Sequence, residues 1–231
     1  MYQSIEQVVA RLKQIKLQGY VPTQRRGGTG VGHTLEQLLG LEENNFKVPD
    51  LDDVELKAHR SNTSSLVTLF TSDRDAWQVP AREVIEEFGL EEDTRTNLYV
   101  TLKGNDITRG LYIDATEENI LIKSVDKRIL AKWSVSMMLD LFHRKVRHVI
   151  LVLAESKRIN GIEHFWYHSA TFYSGWMFSW HVANLFNSGL IHVDLRMHLK
   201  ENGSVRNHGT GFRVYERDLA QIYPYGEVLP I

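Results

Sequence analysis

The chain contains no cysteine in 231 residues. Disulfide frameworks and thiolate metal sites are excluded, and a reducing compartment is the natural setting. It also lacks any apolar run approaching the roughly 20 residues that span a bilayer. The N-terminus leads straight to Ile5, Val8, Val9, Leu12 and Ile15, the spacing of an amphipathic helix rather than a secretory signal. An excess of one charge is missing too. Lys and Arg number 27 against 29 Asp and Glu, a formal net charge of −2. A protein that coats nucleic acid without regard to sequence would be strongly basic. An enzyme whose acidic site carries its own cations is not excluded. Repeats, low-complexity tracts and linkers are absent, so composition marks no seam between domains. The length suits one compact unit or two closely packed lobes.

The most informative stretch that is present runs from Pro49 to Lys57, Pro-Asp-Leu-Asp-Asp-Val-Glu-Leu-Lys. From Val54 to Ala58 polar and apolar residues alternate, the period of a strand with one buried face. Glu55 and Lys57 are two apart and point the same way. Asp50 precedes them in a Pro-led turn that can fold over the start of the strand. Two carboxylates and an ammonium then converge on one spot. Carboxylates this close repel unless a cation lies between them, and Mg²⁺ takes oxygen ligands while keeping several waters. Lys57 can orient a water or stabilise charge on a phosphate oxygen. Asp52 and Asp53 are alternative ligands by proximity. His59 shares the parity of Glu55 and Lys57, which makes it either a further contact on that face or a plain strand-end histidine. Taken alone, the motif equally describes a turn before a charged edge strand.

Upstream, Arg25 and Arg26 lead into Gly27, Gly28, Gly30 and Gly32, read as a flexible loop whose arginines and backbone amides suit phosphates. A helix from Thr34 to about Leu41 follows, with Leu35, Leu38 and Leu39 as its apolar stripe. Glu36 sits in its first turn, either as a further active-site carboxylate or as an acid at the helix's positive end.

Other elements follow from periodicity. Helices are expected at Ser4–Gln18, Pro80–Phe88, Val135–Arg144 and Trp176–Phe186. Strands are expected at Asp53–His59, Leu66–Phe70, Leu98–Lys103, Val149–Ala154, Phe165–Tyr173, Ile191–Leu199 and Phe212–Tyr215, with a hairpin over Leu111–Ala115 and Asn119–Lys123. This is a mixed α/β chain. Trp166, Trp176, Phe178 and Trp180 are assigned to the core. Lys145, Arg147 and His148 are assigned to a charged helix end.

A second polar constellation is C-terminal. Asp194, Arg196 and His198 share one face of a strand whose Leu195 and Met197 face the other way. After a turn at Lys200–Gly203 come Arg206, Asn207, His208 and Arg213. Arg pairs bidentately with guanine O6 and N7, and a protonated His can also donate there, each good pair being worth roughly 1–3 kcal/mol of discrimination. A solvated charged hairpin has the same composition.

Taken together, these segments resemble the MvaI/BcnI family of type II restriction endonucleases, nearest its MvaI branch, and more distantly the MutH mismatch-repair nickases. The matching pattern is Gly-x-Gly-x-Thr-x-Glu-x-Leu-Leu, Pro-Asp, and Glu-Leu-Lys-x-His. Downstream it continues through Ser65–Thr71, Ala154-Glu-Ser-Lys157, Val193-Asp-Leu-Arg196 and His208-Gly-Thr-Gly-Phe-Arg213, in order and over nearly the whole chain. No chemical role is evident for Glu155 or Lys157. The resemblance implies a PD-(D/E)XK-like fold, a mixed sheet flanked by helices with a second, recognition lobe. We expect residues 1–155 to form the catalytic lobe and 156–231 the recognition lobe.

The resemblance further implies Mg²⁺-dependent hydrolysis of double-stranded DNA by a metal-activated water, leaving 5′-phosphates. Asp50 and Glu55 would be metal ligands, with Lys57 and Glu36 completing the catalytic set. Arg196, Arg206, His208 and Arg213 would lie in the base-contacting lobe, and Arg25, Arg26 and His59 would contact the DNA backbone. The sequence departs at Arg206, where MvaI carries a histidine. A monomer that nicks each strand in turn is implied, acting on a CC-(A/T)-GG or CC-(G/C)-GG type of site in a prokaryotic cytoplasm. A methyltransferase would protect the host. Two rivals are a MutH-like strand nickase and a non-catalytic DNA-binding module on the same fold.

Overall fold

The computed structural model describes residues 4–41, 53–61, 63–72, 74–92 and 94–231. Asp50 and Asp52 lie outside the described residues. Along the chain come α1 (Ile5–Leu17), β1 (Val21–Pro22), α2 (Gly30–Leu39), β2 (Val54–Arg60) and β3 (Leu66–Ser72). Then follow α3 (Ala81–Phe88), β4 (Leu90–Glu92), β5 (Arg95–Leu102), β6 (Leu111–Ala115), β7 (Asn119–Ser124), β8 (Ile129–Ser134) and α4 (Val135–Lys145). The remainder is β9 (His148–Ile159), β10 (Ile162–Ser174), α5 (Ser179–Asn187), β11 (His192–Leu199), β12 (Val205–Asn207), β13 (Thr210–Tyr215), α6 (Leu219–Ile222) and β14 (Tyr225–Leu229).

These elements gather into two compact units, each discontinuous in sequence. The first comprises Met1–Val67, His143–Trp176 and Leu219–Ile231, and the second Thr68–Phe142 and Met177–Asp218. The lobe boundary expected near residue 155 falls inside β9, in the first unit.

In the first unit the strand order is β1-β10-β9-β2, with β14 pairing the far half of β10. β2 runs parallel to β9, and β10 pairs antiparallel with β9, β1 and β14. One face of this sheet is covered by two helices. Val8, Leu12 and Ile15 of α1 and Val31, Leu35 and Leu39 of α2 share a core with Val54, Leu56, Ile150, Val152, Phe165 and Tyr167. Burying each such aliphatic side chain is worth about 1.5–3 kcal/mol, so packing of the stripes, more than helix propensity, holds these short helices. The Ser4 side chain caps α1 by accepting from the Gln7 amide, and Gly19, at φ 69°, turns the chain away from it.

In the second unit the order is β3-β13-β11-β5-β4, with β12 also on β11, beside a separate β6-β7-β8 meander. Phe212 is the hub of its core, with Phe70, Trp133 and Phe186 rings at 5.3, 5.5 and 5.9 Å. The Asn187 amide ties the end of α5 to both backbone groups of Ala115.

Candidate active site and recognition surface

Among the described residues β2 is the last strand of the first unit's sheet, and it carries the candidate chemistry. Val54 and Leu56 enter the helix-covered core, so alternation turns Glu55, Lys57 and His59 to the opposite face. Glu55 Oε1 and Lys57 Nζ meet at 2.5 Å, with both side chains largely shielded from water. Tyr223 forms part of the surroundings. It is fully buried, and its hydroxyl donates to the Val146 carbonyl at 2.6 Å. Burial, and then the Glu55 charge, hold that hydroxyl protonated. Asp53 precedes the strand and is mostly exposed, 3.9 Å from His148 Nε2. Burial lowers the His148 pKa, and Arg147 adds to this against the pull of Asp53.

The donor set of this edge is carboxylate oxygen, which suits a hard divalent cation such as Mg²⁺ better than a thiophilic one. Glu55 supplies one such ligand, and Asp50 lies outside the described residues. Among the described residues no three His, Asp or Glu cluster as a complete metal centre.

The glycine segment differs from expectation. α2 begins at Gly30, not near Thr34, so Glu36 lies in its second turn rather than its first. Nor is the segment a loose loop. Thr23 Oγ1 donates to the Arg25 carbonyl at 2.6 Å, and the Gln24 amide donates to Thr34 Oγ1 at 3.0 Å. Arg60 donates to the Gly28 and Gly27 carbonyls at 3.0 and 3.1 Å. A Cβ on Gly30 would lie 2.3 Å from the Arg25 carbonyl oxygen. The glycine is therefore demanded by close backbone approach. Gly32 leaves room for Glu36, whose Oε1 lies 3.9 Å from where a Cβ on Gly32 would be. Glu36 is carried by α2, which packs on the face of β2 opposite Glu55.

His59 is only 8% exposed, with Nε2 at 3.4 Å from both the Thr63 and the Ser65 hydroxyls. This is the environment of a strand-end histidine packed into the structure.

The second unit brings the other constellation together. Asp194, Arg196 and His198 lie opposite Thr101, Tyr99 and Asn97 of β5, and His198 lies opposite Arg206 of β12. Arg213 Nη1 donates to Asp194 Oδ2 at 2.9 Å, while Thr101 donates to Oδ1 at 2.7 Å. Arg196 donates to the carbonyls of Gly209 and His208 at 3.2 and 3.3 Å. Both arginines thus brace the ribbon. Arg206 and His208 are exposed. Together with Tyr99, His198, Arg95 and Lys200 they line an open groove. The Tyr99 hydroxyl lies 2.9 Å from His198 Nδ1. Burial lowers the His198 pKa, and Arg95, His208, Arg206 and Lys200 add to the effect. Burial, followed by Arg206 and Arg196, does the same to His208. Both shifts favour the neutral ring, which offers a single N–H. Tyr99 and Thr101 carry no motif of their own. Only the pairing of β5 with β11 reveals them.

Three aromatic assignments are corrected. Trp176, Phe178 and Trp180 are 50%, 54% and 65% exposed. α5 starts at Ser179, not Trp176, so Trp176 and Phe178 are not on the helix's apolar stripe. Trp166 is half-buried and donates its indole N–H to the Lys16 carbonyl. The charged group after α4 is also reorganised, with Arg147 stacked 4.0 Å over Trp176.

The model of the MvaI/BcnI restriction endonuclease family matches residues 9–223. The chain belongs to that family. It is accordingly a restriction endonuclease, a site-specific deoxyribonuclease. The solved complex of restriction endonuclease MvaI with its cognate DNA substrate is similar over 99% of both chains, at 25% identity and a TM-score of 0.84. MvaI in the absence of DNA is similar over 99% of this chain and 98% of that one, at 24% identity and a TM-score of 0.54. None of the curated proteins matches. The mixed α/β architecture is that of MvaI, and among the described residues no helix is long and apolar enough to cross a membrane.

Proposed function

We propose that this family member is a type II enzyme of the PD-(D/E)XK kind. It cleaves double-stranded DNA with Mg²⁺ at a short G·C-rich near-palindrome, CC-(A/T)-GG in preference to CC-(G/C)-GG, leaving 5′-phosphates. The observation that carries the reading is the Glu55–Lys57 pair at 2.5 Å on the sheet face away from the helices, in a chain of this family. The MvaI structure that it resembles holds cognate DNA, which supports duplex DNA as the partner.

The first unit acts as the catalytic lobe and the second as the recognition lobe. Glu55 and Asp50 hold the ion, with Glu36 as a further carboxylate. When bound, the ion polarises the scissile phosphate and acidifies a nearby water. Lys57, beside Glu55, would orient the attacking water and donate to the phosphate oxygen that gains charge. The backbone around Arg25 and Arg26 contacts phosphates. Arg206 and His208 read base edges, with Arg196 and Arg213 shaping and completing the reading surface. His59 supports the strand. The enzyme acts as a monomer that nicks one strand at a time, in a prokaryotic cytoplasm where a methyltransferase guards host sites.

The test is a digest of unmethylated plasmid with Mg²⁺ or with chelator, followed by sequencing of the ends. Discrete Mg²⁺-dependent ends sharing one CC-(A/T)-GG motif are expected. Nicks in one strand alone would favour the MutH-like reading, and a specific complex without cutting would favour a binding module.

A further inference from the structure

β9 and β10 outrun their sheet. The pairing of β2 with β9 ends at Arg60 opposite Ala154, and β1 reaches only His164 and Phe165 of β10. Between them, residues 155–162 form a two-stranded arm that is exposed throughout. It closes through Asn160 and Gly161, both with positive φ, 50° and 79°. That is a tight primed turn whose twist matches the strands. The acids at its base, Glu155 and Glu163, are committed within the unit. Glu163 accepts from Arg60 at 2.9 and 3.0 Å, and Glu155 accepts from the Tyr20 hydroxyl at 2.8 Å. Its two cations are exposed and, being adjacent in the strand, lie on opposite faces. Lys157 rests 3.6 Å above the Tyr20 ring, and Arg158 shares a cleft with Arg26 and Gly27. Ile159 and Ile162 form an exposed apolar tip.

The arm is also aligned with the candidate cleavage face. Lys57 lies opposite Leu151, and Lys157 has the parity of Leu151, six residues further along β9. At about 3.3 Å per residue the two ammonium-bearing positions are roughly 20 Å apart on one face. That is about six base-pair steps at the 3.4 Å rise per strand of duplex DNA.

We propose that this arm grips the phosphates of DNA flanking the recognised site, roughly six base pairs from the cut, through Lys157 on the cleavage face and the long side chain of Arg158 reaching from the other. The proposal rests on the reading of β2 as the cleavage edge. It assigns a task to the Ala154-Glu-Ser-Lys157 segment, which cleavage itself leaves unused. Such contacts carry affinity without sequence information.

The test compares wild type with the Lys157→Ala, Arg158→Ala double variant on duplexes trimmed stepwise on either side of the cut. On long duplexes the variant should bind both cognate and scrambled DNA several-fold more weakly. Its slope of log affinity against log salt should fall by about 1–2, close to 0.9 for each phosphate that is no longer neutralised. The position of the cut should not move. On duplexes ending within about five base pairs on one side, wild type and variant should bind alike. An unchanged salt slope overturns the proposal, as does an equal deficit on the trimmed duplexes. Restoration of the slope by Lys157→Arg with Arg158→Lys is expected, and its failure would also count against the arm. Binding to scrambled duplex is read independently of cutting. Loss of site-specific cleavage in the wild type would therefore sink the functional reading without deciding the arm.

Discussion

Arg213 offers a way to separate stability from recognition. Its guanidinium donates to Asp194 at 2.9 Å, and the two side chains are 25% and 10% exposed. Removing one member of a buried pair costs about 3–5 kcal/mol, because the other charge is left without compensation. Solvent at Arg213, and the Thr101 hydroxyl that still donates to Asp194, reduce this to about 2–3 kcal/mol. Arg213→Ala should therefore show that loss in urea unfolding. In a chain of 231 residues it should melt roughly 4–12 °C lower. Specific duplex binding, read by fluorescence anisotropy, should fall much more than binding to scrambled DNA. Replacing both partners with neutral, similarly sized groups, Asp194→Asn with Arg213→Gln, should recover most of the stability. It should not recover discrimination. Recovery of cognate binding in the double variant would refute a recognition role for Arg213 and leave it as a brace. A single variant as stable as wild type would refute the energetic argument itself.

Two further predictions concern stability. Gly30→Ala would place a Cβ 2.3 Å from the Arg25 carbonyl oxygen, so the turn before α2 must open. A loss of about 1–3 kcal/mol is expected, and unchanged urea unfolding would mean that α2 starts elsewhere. His192 is buried, and burial lowers its pKa, with Lys103 adding to this. Its folded pKa is below its unfolded value of about 6.5, so its contribution is present above pH 6.5 and is lost as pH falls through the folded value. His148, His198 and His208 share the direction. Stability should decline from pH 7 to pH 5, by at most about 1.4 kcal/mol per pH unit for each proton taken up on unfolding. His192→Asn should have a shallower slope, and an equal slope would remove His192 from the account.

How much of this was legible in the sequence depended on whether the signal was local. The 3.6-residue spacing of Val8, Leu12 and Ile15 marked α1, and Pro80 with Gly89 bracketed α3. Alternation through Glu55 and Lys57 gave β2 its register, and so put the two charges on one face. The same rule joined Asp194, Arg196 and His198. Glycine was misread at α2, because the composition of a flexible loop is also that of a backbone packed against a carbonyl. Asn160-Gly161 is a strong hairpin signal that ties Val149–Ala154 and Phe165–Tyr173 into one β-ribbon. The path between the units crosses where composition does not change, so no local reading could place it. Tyr99 and Thr101 became site residues only through pairing across about 95 positions of chain, which periodicity does not encode. The exposed Trp176 and Trp180 show the limit of treating aromatic content as core.

The most direct test of the central claim is single-turnover cleavage of an end-labelled cognate duplex by wild type, Glu55→Gln and Lys57→Ala, with binding to the same duplex measured without metal. Both variants should bind the duplex much as wild type does. Each should cleave at least about 10²–10³-fold more slowly, the scale of removing one group that stabilises transition-state charge. Wild-type cleavage by Lys57→Ala would contradict the claim, because the Glu55–Lys57 edge of β2 would then not be where the phosphodiester bond is broken.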